Sequence, residues 1–248
     1  RSLGVPVYEV AAMADRSYDR QAVGLLKDLI RRLDPDIVHT HGSLSGRIAA
    51  RACGRKIVYT RHCAFPVKSY MKRGPGRWAN RLFNQHYADR VIAVGEAARE
   101  NLVESGISGK YIDMMMNGSE QIVLPPREER DRLRKEWVFS PDDFVVGILA
   151  RIEVYKGHGD ILDALRILRA EGLPAKLLVA GTGSYEEELR RKAREFPEGT
   201  VVFAGFVSDV STALSVMDVQ VNASYESETS SLSVIEGMSA GVPSVVSD

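Results

Sequence analysis

The sequence predicts an α/β protein made of two successive domains, each built on a parallel sheet. Short apolar runs alternate with longer segments whose apolar residues recur at helical spacing, a pattern typical of βαβ units. A charged stretch at 123–143 interrupts this alternation once, after which it starts again. The 248 residues are enough for two such domains. We therefore expect a first domain at 1–122, a charged connector at 123–143 and a second domain at 144–248.

The elements of the first domain follow from apolar periodicity and from residues that end helices. Asp34-Pro35-Asp36 ends the first helix, because proline disfavours the helical conformation in the residue before it. Gly106 ends the last helix of this domain, because glycine readily adopts the left-handed conformation at the residue after a helix. The predicted strands are 5–10, 37–41, 56–60, 90–94 and 110–116, and the predicted helices are 21–33, 44–53, 77–87 and 96–104.

The second domain repeats the alternation after the connector. A highly charged helix at 127–137 is interpreted as solvated. Ser230-Ser231 favours the start of a final helix, and Gly241-Val242-Pro243 ends it. The other predicted helices are 160–170, 185–196 and 210–217, and the predicted strands are 144–150, 175–180, 200–204, 219–223 and 244–246.

Composition excludes several classes of protein. Lysine and arginine together number 33, as do aspartate and glutamate, and this balance argues against a general nucleic-acid binder. No apolar run approaches the roughly 20 residues of a transmembrane helix. Two cysteines cannot form a disulfide framework, so we expect a cytoplasmic location. The chain begins without an initiator methionine and stops directly after a strand, so both ends are interpreted as cut.

Two acids flank the start of the last predicted helix. Glu228 lies just before it and Glu236 inside it, with seven residues between them. Ligands of α/β sheets bind beyond the carboxyl ends of strands, beside helix N-termini. The carboxylates can accept hydrogen bonds from hydroxyls, while free backbone amides face phosphates. This pattern predicts a sugar-nucleotide site; the alternative is a surface helix with two solvated glutamates. The predicted amide donors are Thr229, Ser230, Ser231 and Leu232.

Two cations follow the first strand of the second domain. Arg151 lies at the carboxyl end of that strand, and Lys156 lies just before the helix that Gly157 and Gly159 introduce. Both cations therefore face the crevice in which a phosphate binds, and the helix dipole adds to their charge. Arginine can bind two oxygens, whereas lysine acts as a point charge. The alternative interpretation is a pair of ordinary surface cations.

These motifs resemble those of the retaining family-4 glycosyltransferases, which have the GT-B fold of two Rossmann-like domains. The segment from Ser224 to Val246 resembles the family's E-x7-E signature, although Thr229-Ser230-Ser231 replaces its usual glycine-rich turn. The segment from Ala150 to Gly157 resembles G-R-x-x-x-x-K-G, with alanine in place of the first glycine. The resemblance extends from about residue 20 to 248. It implies that both Rossmann-like domains are incomplete, lacking the first strands, the last strand and the closing helices.

Weaker matches extend the candidate donor site. Gly181-Thr182-Gly183 resembles a V-x-G-x-G segment that lines the family's donor pocket, and Gly205-Phe206-Val207 resembles an F-x-G-x-V segment whose backbone contacts the base. For both segments a plain turn before a helix remains the alternative. Tyr59-Thr60-Arg61-His62 resembles the family's strand-end T-x-H, which implies that His62 lies near the donor sugar and acceptor. A structural histidine is the alternative there.

The resemblance implies transfer of a sugar from a nucleoside diphosphate sugar to a hydroxyl, with retention of anomeric configuration and without a metal or other cofactor. Arg151 and Lys156 would neutralise the leaving diphosphate, Glu228 would hold sugar hydroxyls, and Glu236 would hold the ribose. Front-face attack, with the leaving phosphate taking the acceptor's proton, needs no protein nucleophile. The expected acceptor is a glycan, a lipid-linked molecule or a small molecule, as in polysaccharide or lipopolysaccharide biosynthesis.

Other interpretations remain open. Asp34-Pro35-Asp36 looks like a metal-binding Asp-x-Asp, but it precedes a strand and so lies at the wrong end of the sheet. His39 and His41 lack a third metal ligand at useful spacing. The rival functions are a nucleotide-sugar epimerase of the same architecture, a non-catalytic nucleotide-sugar binding module, and an NAD-dependent oxidoreductase. The last lacks the acidic ribose-binding residue of its fingerprint.

A basic loop raises the question of where the protein works. The loop from Lys68 to Arg77 could contact an anionic lipid or a polysaccharide acceptor, and a solvated loop is the alternative. The expected partners are therefore a nucleotide-sugar donor, a glycan or lipid-linked acceptor, and a peripheral membrane contact, but no nucleic acid. The expected location is the cytoplasm, including the inner face of the membrane.

Overall fold

The computed structural model describes residues 4–10, 17–225 and 228–247. The chain divides into two compact units, Arg1–Asn117 and Gly118–Asp248. Each unit has one sheet, and every strand pairing in the two sheets is parallel. The predicted α/β fold with two parallel sheets is confirmed. Among the described residues, no helix combines the length and apolarity needed to cross a bilayer.

The first unit is a four-stranded sheet in the order β1-β2-β3-β4. The strands pair in parallel, so their carboxyl ends meet at one edge, where His41 pairs with Thr60 and Arg61 with Ala93. The elements are α1 (Arg20–Leu33), β1 (Ile37–His41), α2 (Leu44–Ala52), β2 (Lys56–Arg61), α3 (Ser69–Lys72), α4 (Gly74–His86), β3 (Arg90–Ala93), α5 (Glu96–Glu104) and β4 (Ile112–Met114).

The first unit departs from the sequence prediction at four places, the first of which is the short helix α3 at Ser69–Lys72, within the loop expected from Lys68 to Arg77. Residues 4–10 form no strand, because none of the described residues supplies them with a hydrogen-bonded neighbour. The helix expected at 77–87 begins earlier, at Gly74, since Pro75 suits the first turn of a helix. The strand expected at 110–116 is confined to Ile112–Met114, because Gly109–Tyr111 forms a short 3-10 turn before it.

The second unit has a five-stranded sheet in the order β7-β6-β5-β8-β9. The order reverses at the central strand β5, so the crevice beyond its carboxyl end is where such a fold binds ligands. The elements are α6 (Arg127–Glu136), β5 (Val145–Leu149), α7 (His158–Ala170), β6 (Lys176–Ala180), α8 (Glu186–Ala193), β7 (Val201–Gly205), α9 (Val210–Val216), β8 (Val219–Asn222), α10 (Leu232–Ser239) and β9 (Ser244–Val246).

Two apolar clusters cover the two faces of the second sheet. Neighbouring residues of β5 alternate between them: Val145 belongs to one cluster and Val146 to the other. This is the expected arrangement for a parallel strand buried on both faces. The continuous apolar run at 144–150 is therefore a consequence of burial on both sides, and Arg151 follows the end of this buried strand.

The charged helix α6 is less solvated than its composition predicts. Leu133 and Arg134 are both buried, and Leu133 belongs to the core cluster beneath one face of the sheet. The Arg134 guanidinium donates to both carboxylate oxygens of Asp218 at 2.9 Å and to the Val216 carbonyl at 3.0 Å. Arg134 therefore binds one carboxylate and several backbone carbonyls. These contacts hold α6 against the segment between α9 and β8.

Candidate functional site

A cavity of about 210 Å³ lies beyond the carboxyl end of β5 in the second unit. Its position is the point at which the strand order reverses. The residues that line it come from the ends of β5, β6 and β7 and from the helices α9 and α10. They are Leu149, Ala150, Arg151, Ala180, Gly181, Thr182, Phe206, Val207, Val210, Ser233 and Glu236.

The cavity gathers five of the residues predicted from the sequence: Arg151, Gly181, Phe206, Val207 and Glu236. Phe206 is 80% exposed, so its ring forms an open wall of the cavity rather than part of the core. Sequence reasoning missed Ser233, which also lines the cavity. Its spacing of three residues before Glu236 on α10 is the signal that could have found it, because residues three apart share a helix face.

Glu236 is the carboxylate of this cavity. Among the described residues its side chain has no hydrogen-bond or ion-pair partner, and burial raises its pKa above the usual range. Burial disfavours the charged form of a carboxylate, and a hydrogen bond to the charged form opposes that effect. A bound molecule with hydroxyl groups would supply such hydrogen bonds, so the arrangement suits a polyhydroxylated ligand.

Lys156 and Glu228 form a second group, which does not line the cavity, whereas Arg151 lines the cavity and also contacts this group. Lys156 Nζ lies 2.5 Å from Glu228 Oε2, so the structure brings two predicted catalytic residues into direct contact. Arg151 Nη2 donates to the Tyr155 hydroxyl at 2.7 Å, and Lys156 Nζ lies 5.5 Å from the centre of the same ring. Tyr155 therefore connects the two cations, and sequence reasoning missed it; its place between two phosphate-binding candidates was the available signal.

Glycines bring the loops of the site together. A side chain at Gly157, whose φ is +70°, would place its Cβ 2.2 Å from the Ala223 carbonyl oxygen at the end of β8. A Cβ at Gly181 would lie 2.0 Å from the carbonyl oxygen of Ala150. Both glycines therefore allow backbone contacts that no other residue permits. Gly183 makes a similar close approach to Ile152, whereas Gly205 faces open space, and neither lines the cavity.

Polar side chains of β8 hold the start of α10. The Gln220 amide, which is fully buried, donates to the Ser233 carbonyl at 2.9 Å, and Asn222 Nδ2 donates to Ser231 Oγ at 2.8 Å. Ser231 directly precedes the helix as its N-cap, and the Ser231 side chain makes no capping hydrogen bond to the described first turn. The predicted amide donors Thr229, Ser230, Ser231 and Leu232 thus lie in the loop and first turn between Glu228 and Glu236.

His62 lies in the first unit, within a cluster of histidines that the sequence did not reveal. His41 Nδ1 lies 2.6 Å from His62 Nε2, and the rings of His39 and His41 are 4.5 Å apart. Burial first, then the neighbouring rings, lower the pKa of His62, and burial and His41 lower that of His39. The parallel pairing of β1 with β2 makes the cluster, by placing His41 beside Thr60.

The residues first considered for metal binding have other contacts. Asp34 pairs with Arg55 ahead of β1, at the amino end of the sheet as expected. His39 Nε2 lies 2.7 Å from the Thr60 hydroxyl. Across the described ranges, no three or more histidine, cysteine, aspartate or glutamate side chains are arranged to hold a metal ion.

His158 lies directly behind the Lys156–Gly157 turn, at the first position of α7. It is 1% exposed, and neither ring nitrogen forms a hydrogen bond of good geometry. Burial lowers the pKa of His158 to about 4, and the positive charge of Lys156 acts in the same direction. The imidazole is therefore neutral at neutral pH, because the cost of burying its charged form outweighs the backbone and the charge of Glu153, which act to raise the pKa.

We expect His158 to make the protein less stable in mild acid. Its pKa is about 4 when folded and about 6.5 when unfolded, so the unfolded state binds more protons between these values. The free energy of unfolding should fall as pH drops from about 6.5 towards 4, by about 3 kcal/mol in total from this residue. Urea unfolding of wild type and His158→Leu over this range measures the contribution.

The exposed His86 provides the matched control for this pH dependence. A His86→Leu variant should keep the wild-type slope of stability against pH, whereas His158→Leu should flatten it. Equal slopes for wild type and His158→Leu would show that His158 is not held neutral by burial.

Family models match both units of the chain. One, described as "Glycosyltransferase Family 4", matches residues 2–119, and another, described as "Glycosyl transferases group 1", matches residues 143–248. The chain is 28% identical over 239 residues to the putative glycosyltransferase EpsD of Bacillus subtilis, covering 90% of this chain and 61% of that protein. Taken together, the two models account for most of the sequence.

Two further similarities concern a curated relative and a solved structure. The chain is 28% identical over 240 residues to a GDP-mannose-dependent α-(1-6)-phosphatidylinositol dimannoside mannosyltransferase of Mycobacterium tuberculosis, covering 90% of this chain and 60% of that protein. Anabaena Alr3699/HepE in complex with UDP-glucose superposes with a TM-score of 0.77 and 22% identity, over 90% of this chain and 62% of HepE. The structural likeness supports the GT-B fold. The chain spans about 60% of the length of the relatives it matches.

Proposed function

This chain belongs to the family-4 glycosyltransferases of the group 1 type, and we propose that the protein transfers a sugar from a nucleoside diphosphate sugar to a hydroxyl acceptor. One observation carries the proposal: the cavity beyond β5 contains the carboxylate of Glu236, which has no partner among the described residues, together with the cation Arg151. A nucleotide offers hydroxyls for the first and phosphates for the second. HepE, which has the same fold, is described in complex with UDP-glucose.

Glu236 binds the ribose hydroxyls of the donor in this proposal. Its carboxylate is partly removed from water and has no partner among the described side chains, so the ribose would supply its hydrogen bonds. The base lies against the segment Gly205–Val207, where Phe206 exposes its ring. Gly181 forms the opposite wall, because its missing side chain leaves room beside Ala150. The first turn of α10 supplies backbone amides to the phosphates.

Arg151 and Lys156 neutralise the diphosphate as the bond to the sugar breaks. Negative charge grows on the leaving oxygen in the transition state, and fixed cations that meet it lower the barrier. Glu228 orients Lys156 before the donor arrives and accepts hydrogen bonds from the sugar hydroxyls afterwards. Because these cations supply the positive charge, the reaction proceeds without a metal or cofactor in this proposal.

The acceptor hydroxyl attacks on the same face from which the diphosphate leaves, which retains the anomeric configuration. The bond from the acceptor oxygen to the anomeric carbon forms as the bond to the phosphate oxygen breaks, and that phosphate oxygen takes the acceptor's proton. His62, whose neutral imidazole is favoured by its surroundings, lies near the reacting sugar in this scheme. Its role rests on the family resemblance alone.

We propose a lipid-linked or glycan acceptor. The mycobacterial relative is named for transfer to a phosphatidylinositol dimannoside, an acceptor that combines a lipid with a glycan. A reaction on such an acceptor would take place in the cytoplasm, at the inner face of the membrane.

Calorimetric titration of this chain with UDP, GDP, ADP and NAD, in the presence of EDTA, tests the donor site. We expect one nucleoside diphosphate to bind and Glu236→Ala to weaken that binding by about 10–100-fold, because hydrogen bonds to charged groups contribute about 1.5–3 kcal/mol. Glu171→Ala, which removes an exposed carboxylate of the same unit, is the matched control and should bind normally.

Three outcomes of the titration would contradict the proposal. Preference for NAD would favour an oxidoreductase, and a diphosphate that binds only when EDTA is omitted would refute metal independence. Equal affinity of wild type and Glu236→Ala would remove Glu236 from the donor site, even if a diphosphate binds.

A further inference from the structure

Helix α4 of the first unit is oriented with its polar residues inward. Asn80 donates to the Ser105 carbonyl at 2.7 Å, and Asn84 accepts from the Arg47 guanidinium at 3.0 Å. No residue of α4 is buried. Its large apolar residues face solvent instead: Trp78 is 65% exposed, and Leu82 follows one turn later at 44%. A helix in a water-soluble domain normally buries its apolar face against the core.

The outward apolar surface continues beyond these two side chains. Phe83, next to Leu82 on α4, is 41% exposed, and Tyr70 of the short helix α3 is 60% exposed. The two helices pack closely, because a Cβ at Gly76 would lie only 1.9 Å from the Tyr70 carbonyl oxygen. Aromatic and aliphatic side chains thus share one exposed surface of α3 and α4.

Basic residues dominate the charge around this surface, and the acid recorded next to α3, Glu104, is paired with Lys72 at 2.7 Å. Between Asp36 and Asp89 the sequence contains no aspartate or glutamate, while lysines and arginines recur throughout. Lys68, Arg73 and Arg81 are exposed beside the apolar residues, and none has an ion-pair or hydrogen-bond partner for its side chain within the described part of the chain. A chain with no net charge overall therefore carries an excess of basic residues in the stretch of sequence that forms this surface.

We propose that the surface formed by Trp78, Leu82, Phe83, Lys68, Arg73 and Arg81, the α4 face, docks on an anionic lipid bilayer. An interfacial helix combines arginine or lysine with tryptophan, phenylalanine and leucine on its other face. Tryptophan favours the headgroup level of a bilayer, and anionic lipid attracts nearby basic residues. A soluble polyanion would satisfy the charges but leave Trp78 and Leu82 in water. The α4 face and its lipid partner are independent of the proposed sugar transfer.

Trp78 itself reports on the docking. The protein contains two tryptophans, so a Trp137→Phe background leaves Trp78 as the only tryptophan, which can be excited selectively over the tyrosines. Vesicles of phosphatidylglycerol and phosphatidylcholine should bind this protein and shift the Trp78 emission to shorter wavelength. Vesicles of phosphatidylcholine alone should bind at least tenfold more weakly, and added salt should release the protein because it screens the attraction.

Matched variants distinguish docking through the α4 face from non-specific adsorption of the protein to vesicles. Arg81→Glu and Leu82→Gln should each lower partition into the anionic vesicles at least tenfold. Arg127→Glu and Ile167→Gln make the same changes on exposed helices of the second unit and should leave partition unchanged. Circular dichroism confirms that each variant is folded.

Several results would overturn the proposal. These are no binding of the folded protein to anionic vesicles, equal binding to both vesicle types, or equal losses in the control variants. The protein could also bind vesicles without a shift of the Trp78 emission and be displaced completely by soluble polyphosphate. That result would identify a polyanion site instead. Self-association that Leu82→Gln abolishes, with no vesicle binding, would show that a second copy of the chain covers the α4 face.

Discussion

Replacing Lys156 with alanine is expected to lower turnover of the nucleotide-sugar donor by about 10²–10³-fold, equivalent to about 3–4 kcal/mol of transition-state stabilisation. The effect should appear mainly in kcat, because charge on the diphosphate grows as the glycosidic bond breaks. Lys156 is suited to this role because its side chain is only 19% exposed and Glu228 holds it in place. The measurement is steady-state transfer to acceptor over a range of donor concentrations.

The control for this variant is Lys135→Ala, which removes an exposed lysine from the last turn of α6. It should leave kcat and KM unchanged. Lys156→Ala also leaves Glu228 without its cation. Glu228→Gln and the double variant Lys156→Ala/Glu228→Gln therefore complete a double-mutant cycle. If Lys156→Ala retained wild-type kcat, the lysine would be a structural partner of Glu228 rather than a group that stabilises the leaving diphosphate.

The largest expected effect on stability comes from Arg134→Ala, which should lower the free energy of unfolding by about 3 kcal/mol or more. Arg134 is buried and binds the Asp218 carboxylate together with the carbonyl oxygens of Pro141, Asp143 and Val216. Removing it leaves these acceptors without their donor, and the cost of an unsatisfied buried acceptor adds to that of the lost ion pair. Chemical unfolding at neutral pH measures the change.

Arg132→Ala is the matched control, because Arg132 lies on the same helix with a side chain that is 63% exposed. Its pairs with Glu129 and Glu136 are surface contacts within the helix, so the variant should change stability by about 0.5 kcal/mol or less. Equal destabilisation by the two variants would mean that the α6 charges act through helix propensity rather than through the contact with Asp218.

Most of the fold could be predicted because the determining signals are local. Strands β1 and β9 occupy the predicted residues, 37–41 and 244–246, since apolar runs bounded by proline or glycine define strands without reference to distant residues. The start of α4 shifted because Pro75 can begin a helix as well as end one. Residues 4–10 have the composition of a strand but form none, because a strand also needs a hydrogen-bonded neighbouring strand.

Part of the candidate site could also be predicted from local signals in the sequence. Arg151 and Glu236 were identified separately, each from its place next to a strand or helix, and the cavity contains both. Their proximity depends on β5 and β8 being neighbours in the sheet, which the linear order does not specify. The sequence did not identify Tyr155 and Ser233, because their places in the site depend on tertiary contacts.

The sequence by itself determined the alternation of strands and helices, the position of Glu228, Glu236, Arg151 and Lys156 beside their helices, and the family resemblance. Only the tertiary structure decided which of these side chains meet. It paired Lys156 with Glu228, left Glu236 without a partner in the described part of the chain and placed His41 against His62. The physical reason is that periodicity is encoded within one element, whereas contact and desolvation depend on which elements the sheet makes neighbours.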